Sequence, residues 1–274
     1  MVRSLWSGAT GMIAQQNNVD TIANNIANVN TTGYKTEVNE FKSLLYQTIQ
    51  TRTTSANGED KPVGAQVGLG VRNAAITSQF TQGSLLASES SSALAINGDG
   101  FFSVKGEDGN VYYTRDGNFT WSLGANNMLM LTNANGLPVL NTNGQPIQVT
   151  RANHIASKLE IDENGQLWYP NADNNLERIP GMTVGVWQFQ NPKGLNKQGD
   201  NLYKVTAASG DALNEATNAN LTKSQIRQGY LENSNVQVAD EMVNLIIAQR
   251  AYEMNSKVIQ ASDTMMQEAN ELRR

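Results

Sequence analysis

The sequence predicts an α+β protein of several parts, with an α-helical coiled-coil stem from both chain ends, an extended connector region and a central all-β domain. Two observations predict it. Apolar residues recur every seven positions near each end of the 274-residue chain, and Asn-Gly and Asp-Gly dipeptides punctuate the middle. We expect the helical core at 1–35 and 235–274, the connectors at 36–72 and 206–234, and the β-rich domain at 73–205.

A single helix is predicted over residues 4–29, because an apolar residue recurs at every seventh position: Leu5, Met12, Val19 and Ile26. That spacing keeps these side chains on one face of a helix. Asn28, Asn30 and Gly33 follow, and these residue types favour the end of a helix.

A longer helix is predicted over residues 236–272, with a heptad column formed by Val238, Leu245, Tyr252, Ile259 and Met266. The column is flanked by Ala251, Val258, Met265 and Leu272. A heptad period sustained this far is typical of coiled coils, although the face of an ordinary bundle helix gives a similar stripe. Two helices alone bury little apolar surface for the backbone entropy lost, so we expect the stem to order when neighbouring subunits cover its other faces.

The middle of the chain is predicted to be all-β, because turn dipeptides separate short runs of β-forming residues. These dipeptides are Asn97-Gly98, Asp108-Gly109, Asp116-Gly117, Asn135-Gly136, Asn143-Gly144 and Asn164-Gly165. Such pairs supply the positive φ that tight hairpins need, so we expect an antiparallel sheet or barrel. The stretch 51–70 before this domain is rich in Thr, Ser and Gly, and we interpret it as an extended connector.

Composition excludes several classes of function. The net charge is −5 and charged residues make up 16% of the chain, so there is no basic field for nucleic acid. Cysteine is absent, which excludes disulfides and thiolate chemistry. The single histidine, His154, has no second histidine for a metal pair, and the acidic turns 106–109 and 162–165 lack the spacing of calcium loops. We expect no catalytic site, metal, cofactor or small-molecule substrate.

Export through the general secretory route is not expected. Gly11 and the polar run 15–18 interrupt any apolar core near the N-terminus, and no apolar run of 18 residues occurs in the chain. If the protein leaves the cytoplasm, we expect another route to carry it without a cleaved signal peptide.

Several segments resemble motifs of one bacterial family. Residues 23–35 resemble the N-terminal signature of the flagellar rod and hook protein family, and residues 97–102 and 113–119 are similar to its two β-domain motifs. Residues 228–236 and 249–257 resemble its C-terminal motifs. The resemblance extends over essentially the whole chain. The β-domain motif residues that we single out are Gly98, Gly100, Phe101, Arg115, Asp116 and Gly117.

The heptads and the motifs together nominate residues of a subunit interface. An Asn-rich helix end can hydrogen-bond an adjacent chain, and Arg250 offers a forked donor to a neighbour. A structural role within one chain is the alternative, and the sequence leaves both open. The nominated residues are Leu5, Met12, Val19, Ile26, Asn28, Gly33, Val238, Leu245, Arg250, Tyr252, Asn255, Ile259 and Met266.

A connector segment places the chain within the family. Residues 44–49, followed after a polar spacer by 68–72, resemble the distal-rod branch, which carries an additional connector there. We expect deletion of residues 51–63 to soften or shorten the assembly. A proximal rod subunit is the alternative within the family, whereas hook subunits usually have a much larger middle. The residues expected to give rigidity are Leu44, Tyr46, Gly68, Gly70 and Arg72.

The resemblance implies a structural protein and not an enzyme. It implies helical self-polymerisation into a hollow distal rod that crosses the periplasm, transmits torque from motor to hook and encloses the export channel. The implied partners are further copies of the chain, proximal rod proteins and hook protein at its ends, ring or bushing proteins around it and the flagellar export apparatus. A second hypothesis, a β-rich adhesin that binds glycan through Trp168, Tyr169 and Trp187, leaves the terminal heptads unexplained.

Overall fold

The computed structural model describes residues 2–50, 64–124, 128–151, 155–171 and 175–272. The spacer at positions 51 to 63 and the single histidine lie outside these described residues. Two long helices enclose a β-rich region in the order of the chain, so the predicted α+β class is confirmed. Among the described residues, no helix is long and apolar enough to cross a membrane.

The helices are α1, Val2–Ala27, and α2, Val238–Glu271, with short 3-10 helices at Ala156–Lys158 and Pro192–Gly194. The strands of the described residues are, in order, β1 Glu37–Ser43, β2 Tyr46–Gln50, β3 Ala65–Gly68, β4 Val71–Ser78, β5 Leu85–Ala87, β6 Leu94–Asn97, β7 Phe101–Lys105, β8 Val111–Thr114, β9 Thr120–Leu123, β10 Met128–Thr132, β11 Gln148–Thr150, β12 Glu160–Ile161, β13 Gln166–Pro170, β14 Leu176–Thr183, β15 Val186–Gln188, β16 Asn196–Gly199, β17 Leu202–Lys204, β18 Leu213–Asn214, β19 Gln225–Gln228 and β20 Tyr230–Glu232.

The chain divides into two compact units. The helical unit contains Met1–Ala27, Glu37–Ser78 and Gln237–Arg274. The β-rich unit contains Asn28–Thr36 and Gln79–Val236. The segment that follows α1 therefore groups with the β-rich unit, while the strands that come next group with the helices.

In the helical unit, an antiparallel ribbon extends from α1. Strands β1 and β4 pair from Glu37 opposite Ser78 to Ser43 opposite Val71, and β2 pairs with β3 beyond them. Asn25 fastens the ribbon to the helix, since its Nδ2 donates to Glu37 O at 2.8 Å and its Oδ1 accepts from Glu37 N at 2.9 Å. An amide side chain supplies both a donor and an acceptor, so one Asn can replace two ladder bonds.

The β-rich unit contains a six-stranded sheet in the order β16-β17-β8-β7-β15-β18, and three-stranded sheets β11-β10-β9 and β12-β13-β14. Two pairs, β6 with β19 and β5 with β20, join early strands to late ones. The larger core cluster includes Leu94, Phe102 and Leu131, all fully buried. A second cluster is aromatic, and its Phe101 meets Phe189 edge to face at 5.4 Å between ring centroids.

The predicted turns are confirmed at some positions and wrong at others. Asp108-Gly109, Asn135-Gly136, Asn143-Gly144 and Asn164-Gly165 reverse antiparallel segments, with glycine φ values between 75° and 79°. Asn97-Gly98 and Asp116-Gly117 instead link strands of different sheets. Gly117 has no positive φ; a Cβ there would overlap the carbonyl oxygen of Leu94. The same dipeptide thus marks a close approach of two backbones as readily as a hairpin.

Candidate assembly site

Three of the sequence motifs meet in the β-rich unit at a buried ion cluster. Lys35 ends the N-terminal signature, Arg115 follows β8 and Glu232 ends β20. Lys35 Nζ lies 2.5 Å from Glu232 Oε1, and Arg115 Nη1 lies 3.3 Å from Glu232 Oε2. Each of the three residues is 1% exposed. The cluster joins segments that are up to 197 residues apart in sequence.

Neighbouring backbone groups complete this cluster. Lys35 Nζ also donates to Thr81 O at 2.8 Å, and Arg115 Nη2 donates to Gly98 O at 2.7 Å. The Arg115 guanidinium lies 5.2 Å from the centre of the Phe101 ring, a cation–π distance. Burial lowers the pKa of the Lys35 amine, and the charge of Glu232 opposes that shift. Removing the Glu232 carboxylate would leave the two cations of the cluster buried without a counter-charge.

Gly33 brings the N-terminal signature against the β-domain motif within one chain. Its φ is 68°, and a Cβ there would lie 2.6 Å from Asp116 N. Gly33 N donates to Glu232 O at 2.8 Å, and Thr32 Oγ1 donates to Asp116 Oδ1 at 2.8 Å. This position therefore requires glycine for two independent reasons, whatever its role between subunits.

Asn235 ties the two terminal segments of the β-rich unit together. Its Oδ1 accepts from both Thr36 N and Thr36 Oγ1 at 2.7 Å. Its Nδ2 donates to Gln79 O at 2.9 Å and to Thr81 Oγ1 at 2.8 Å. Nearby, Thr31 Oγ1 donates to Asn28 Oδ1 at 3.1 Å, so the half-buried Asn28 has a role inside the chain.

In the helical unit, α1 and α2 pack against each other in opposite directions. Ser4 Oγ is hydrogen-bonded to Ser262 Oγ at 3.1 Å, and a Cβ on Gly11 would lie 2.8 Å from Asn255 Nδ2. Later residues of α1 thus face earlier residues of α2. Small residues allow this close approach.

The inner face of α2 carries two heptad columns. One is the predicted column, in which Leu245, Ile259 and Met266 are half-buried. The other column was not predicted as a column, although Asn255 was nominated, because its members are polar or small: Glu241, Ala248, Asn255 and Ser262. Glu241, Ala248 and Ser262 are the buried residues of α2. The predicted residues of α1 (Leu5, Met12, Val19 and Ile26) are half-buried.

A second apolar stripe lies beside the inner face of α2, about a third of a turn from Ala248 at about 100° per residue. We call it the outer stripe, and all its members are exposed: Val243, Ile247, Met254, Val258, Met265 and Leu272. Ile247 is 60% exposed and Met254 is 61% exposed. Val258, Met265 and Leu272 belong to the column predicted only to flank the heptad column of α2. Exposed apolar residues aligned over a whole helix mark an interaction surface.

The remaining nominated residues lie in several places. Val238, Arg250 and Tyr252 are exposed on α2, and Tyr46 and Arg72 are exposed on the ribbon. Half-buried positions on the ribbon are Leu44, Gly68 and Gly70, and a Cβ on Gly70 would meet Thr10 of α1. Their roles between subunits stay predictions.

Two of the three aromatic residues of the glycan hypothesis, Tyr169 and Trp187, pack against the cores of the β-rich unit. Trp187 Nε1 donates to Ser103 Oγ at 3.1 Å, and its ring meets Tyr113 edge to face. Tyr169 packs against the larger core cluster. Within the part of the chain that the structure describes, no group of three or more acidic or histidine side chains could hold a metal ion.

Three segments of the chain match models of known protein families. Residues 5–35 match the family described as flagella basal body rod protein, and residues 95–169 match the D1 domain of the flagellar hook proteins FlgE/F/G. Residues 227–272 match the C-terminal part of the flagellar basal body rod FlgEFG proteins. These matches define the class: structural proteins of the flagellar rod and hook.

Full-length relatives narrow the class. The flagellar basal-body rod protein FlgG of Borreliella burgdorferi is 42% identical over 100% of both chains. FlgG of Bacillus subtilis is 35% identical, again over 100% of both chains, and the hook-basal body complex protein FlhP of that organism is 32% identical over the same share. The chain therefore belongs to the FlgG family of flagellar basal-body rod proteins. It is a structural rod subunit and not an enzyme, as the resemblance implied.

Proposed function

We propose that the chain polymerises helically into the hollow distal rod, and that the outer stripe of α2 is the surface that neighbouring copies cover. The observation that carries this proposal is the exposure of the whole stripe while the inner face of α2 already packs on α1. Burying such side chains is favourable by about 1.5–3 kcal/mol for each large apolar residue. A helix with two apolar sides can serve one neighbour on each, which favours a coiled-coil stem shared between subunits.

The ribbon of the helical unit is the proposed source of rigidity. Leu45, Tyr46 and Ile49 near its far end are exposed to 82%, 62% and 57%. An exposed apolar strand pair is prone to associate with another chain. Wedged between neighbouring subunits, this ribbon would resist bending and carry torque.

The place of the polymer in the flagellum is also part of the proposal. Its partners are proximal rod proteins and hook protein at the two ends, ring or bushing proteins around it and the export apparatus that delivers it. The polymer spans the periplasm, encloses the export channel and receives subunits without a cleaved signal peptide. Relatives named as basal-body rod proteins support this location.

Polymer formation by the purified full chain tests the proposal. We expect the unsubstituted chain to form polymers that sediment and are visible by electron microscopy. Ile247→Asp with Met254→Asp places two charges in the outer stripe, and we expect this double substitution to abolish those polymers. Asn244→Asp with Gln260→Asp is the matched control, because it adds the same charges at exposed polar positions of α2. Circular dichroism checks that helix content is unchanged. Normal polymers from the stripe variant would contradict the proposal.

A further inference from the structure

A polar pocket lies at one edge of the six-stranded sheet in the β-rich unit. It encloses about 340 Å³ and is lined by residues of β14 and β15 and by the segment that follows β18. Strand β18 is the last strand in the sheet order at this edge. The pocket is open to a neighbour that approaches this side of the unit.

The pocket carries two cations that have no partner. Arg178 and Lys223 are exposed, and neither forms a hydrogen bond or an ion pair with the described residues. The buried Glu215 does not neutralise them by contact. Its Oε2 accepts from Ser224 N at 2.7 Å, and its Oε1 accepts from Ser224 Oγ at 2.8 Å and from Gln188 Nε2 at 2.9 Å. Because Glu215 is already hydrogen-bonded to Ser224 and Gln188, the two cations can bind a carboxylate from another molecule.

The opposite edge of the same sheet carries the complementary charge. A cleft of about 530 Å³ beside β16 and β17 is lined by Glu107, Asp108 and Asp200. Asp108 Oδ2 accepts from Tyr112 Oη at 2.8 Å, and Asp200 Oδ2 accepts from Asn135 Nδ2 at 3.0 Å. Uncharged donors therefore hold these carboxylates in place, and the Lys204 cation also acts on Asp108.

One chain cannot bring its own cleft and pocket together. Four strand steps separate β17 from β18 in the sheet order, which is about 19 Å at about 4.8 Å per step. Complementary patches at opposite edges of one unit produce head-to-tail contacts, which build open helices when the rotation does not close a ring. We propose that the acidic cleft of one copy docks onto the Arg178–Lys223 pocket of the next copy. This inference rests on the proposed self-assembly and assigns it a second contact, between β-rich units.

Disulfide trapping tests this contact without background, because the chain has no cysteine. Ala216→Cys lies in the pocket and Gln198→Cys lies in the cleft, and neither change removes a charge of the contact. Polymers grown from a mixture of the two single variants should form disulfide-linked dimers, whereas each variant alone should not. Lys158→Cys, exposed elsewhere on the unit, is the control partner for Gln198→Cys.

The outcomes separate this contact from the proposed function. Polymers that form without the disulfide, or with equal linking to the control, would overturn the contact and leave the polymer proposal standing. Absence of polymer from the unsubstituted chain would overturn both.

A charge exchange gives an independent readout. Lys223→Glu and Glu107→Lys should each raise the critical concentration for polymerisation by about 2- to 5-fold, as expected for the loss of an exposed pair and gain of a like-charge contact. The double variant should return to near the unsubstituted value, because the pair is restored with reversed sign. Losses that simply multiply in the double variant would overturn the proposed pairing.

Discussion

The two units of the chain differ in how much of their apolar surface is buried within the chain. The β-rich unit forms a core of its own, in which Phe102, Phe119 and Leu131 are fully buried. The helical unit leaves Val243, Ile247 and the rest of the outer stripe exposed. A unit that completes its own core can hold its fold as a monomer, whereas a unit with an uncovered stripe gains stability from neighbours.

Polar residues show the same contrast. Lys35 and Arg115 both pair with Glu232 inside the β-rich unit, where chain segments from both ends converge. On α2, Arg250 is exposed beside the outer stripe. We therefore expect substitutions in the β-rich unit to change folding, and substitutions in the outer stripe to change assembly.

The largest expected effect is at the buried ion cluster. Glu232→Gln leaves Lys35 and Arg115 buried without a counter-charge, and we expect the free energy of unfolding to fall by about 3–5 kcal/mol. Urea unfolding followed by tryptophan fluorescence measures it. Glu89→Gln, at an exposed position of the same unit, should stay within about 0.5 kcal/mol of the unsubstituted chain. A similar small effect for both would show that the cluster does not fasten the unit.

A pair of apolar truncations compares the units directly. Leu131→Ala removes a fully buried side chain and should cost about 2–5 kcal/mol. Ile247→Ala removes an exposed one and should change the unfolding free energy of the monomer by less than about 0.5 kcal/mol. Equal losses in monomer stability would mean that the outer stripe is already covered within one chain.

Gly33 offers a smaller and more specific test. Gly33→Ala combines a strained positive φ with an overlap against Asp116 N, whereas Gly136→Ala has a similar φ and nothing within 4 Å of the added Cβ. The difference between the two variants isolates the overlap, and we expect about 1–3 kcal/mol more destabilisation at Gly33. Identical unfolding midpoints for the two variants would indicate that the segment around Gly33 can shift away from Asp116 without loss of stability.

The smallest expected effect depends on pH. Burial raises the pKa of the Tyr113 phenol above its ordinary value of 10.0. The folded state therefore keeps this proton longer than the unfolded chain, so the contribution of Tyr113 is fully present below pH 10 and is lost as the pH rises through the raised value. Tyr113→Phe removes this loss. Between pH 8 and a pH above 10, the unfolding midpoint should fall less for the variant than for the unsubstituted chain. An equal fall in the two chains would contradict this role of Tyr113.

Much of the fold could be predicted from local patterns. The heptads of both helices and several Gly-containing turns depend on residues within a few positions of one another, so sequence reveals them. Asn97-Gly98 and Asp116-Gly117 show the limit. Both satisfy the local rule for a hairpin, yet each connects different sheets because distant strands provide better partners.

The candidate site was harder to predict for the same reason. Lys35 and Glu232 lie inside the quoted motifs, but nothing local pairs a lysine with a glutamate 197 positions away. The one sequence feature that pointed to the pair was that two motifs of the same family carry opposite charges, Lys35 in one and Glu232 in the other. On α2, apolar periodicity predicts one column but not the column that contains Ala248 and Ser262, whose small size allows the helices to approach.

The sequence by itself determined the class of fold, the two helices, the absence of cysteine chemistry and membership of the flagellar rod and hook family. Only the tertiary structure decided which face of α2 is covered by α1 and which is left exposed, and which charges are buried together. Periodicity is a local property, because it follows from the residues of one segment. Burial and ion pairing depend on which distant segments meet, and these are properties of the folded chain as a whole.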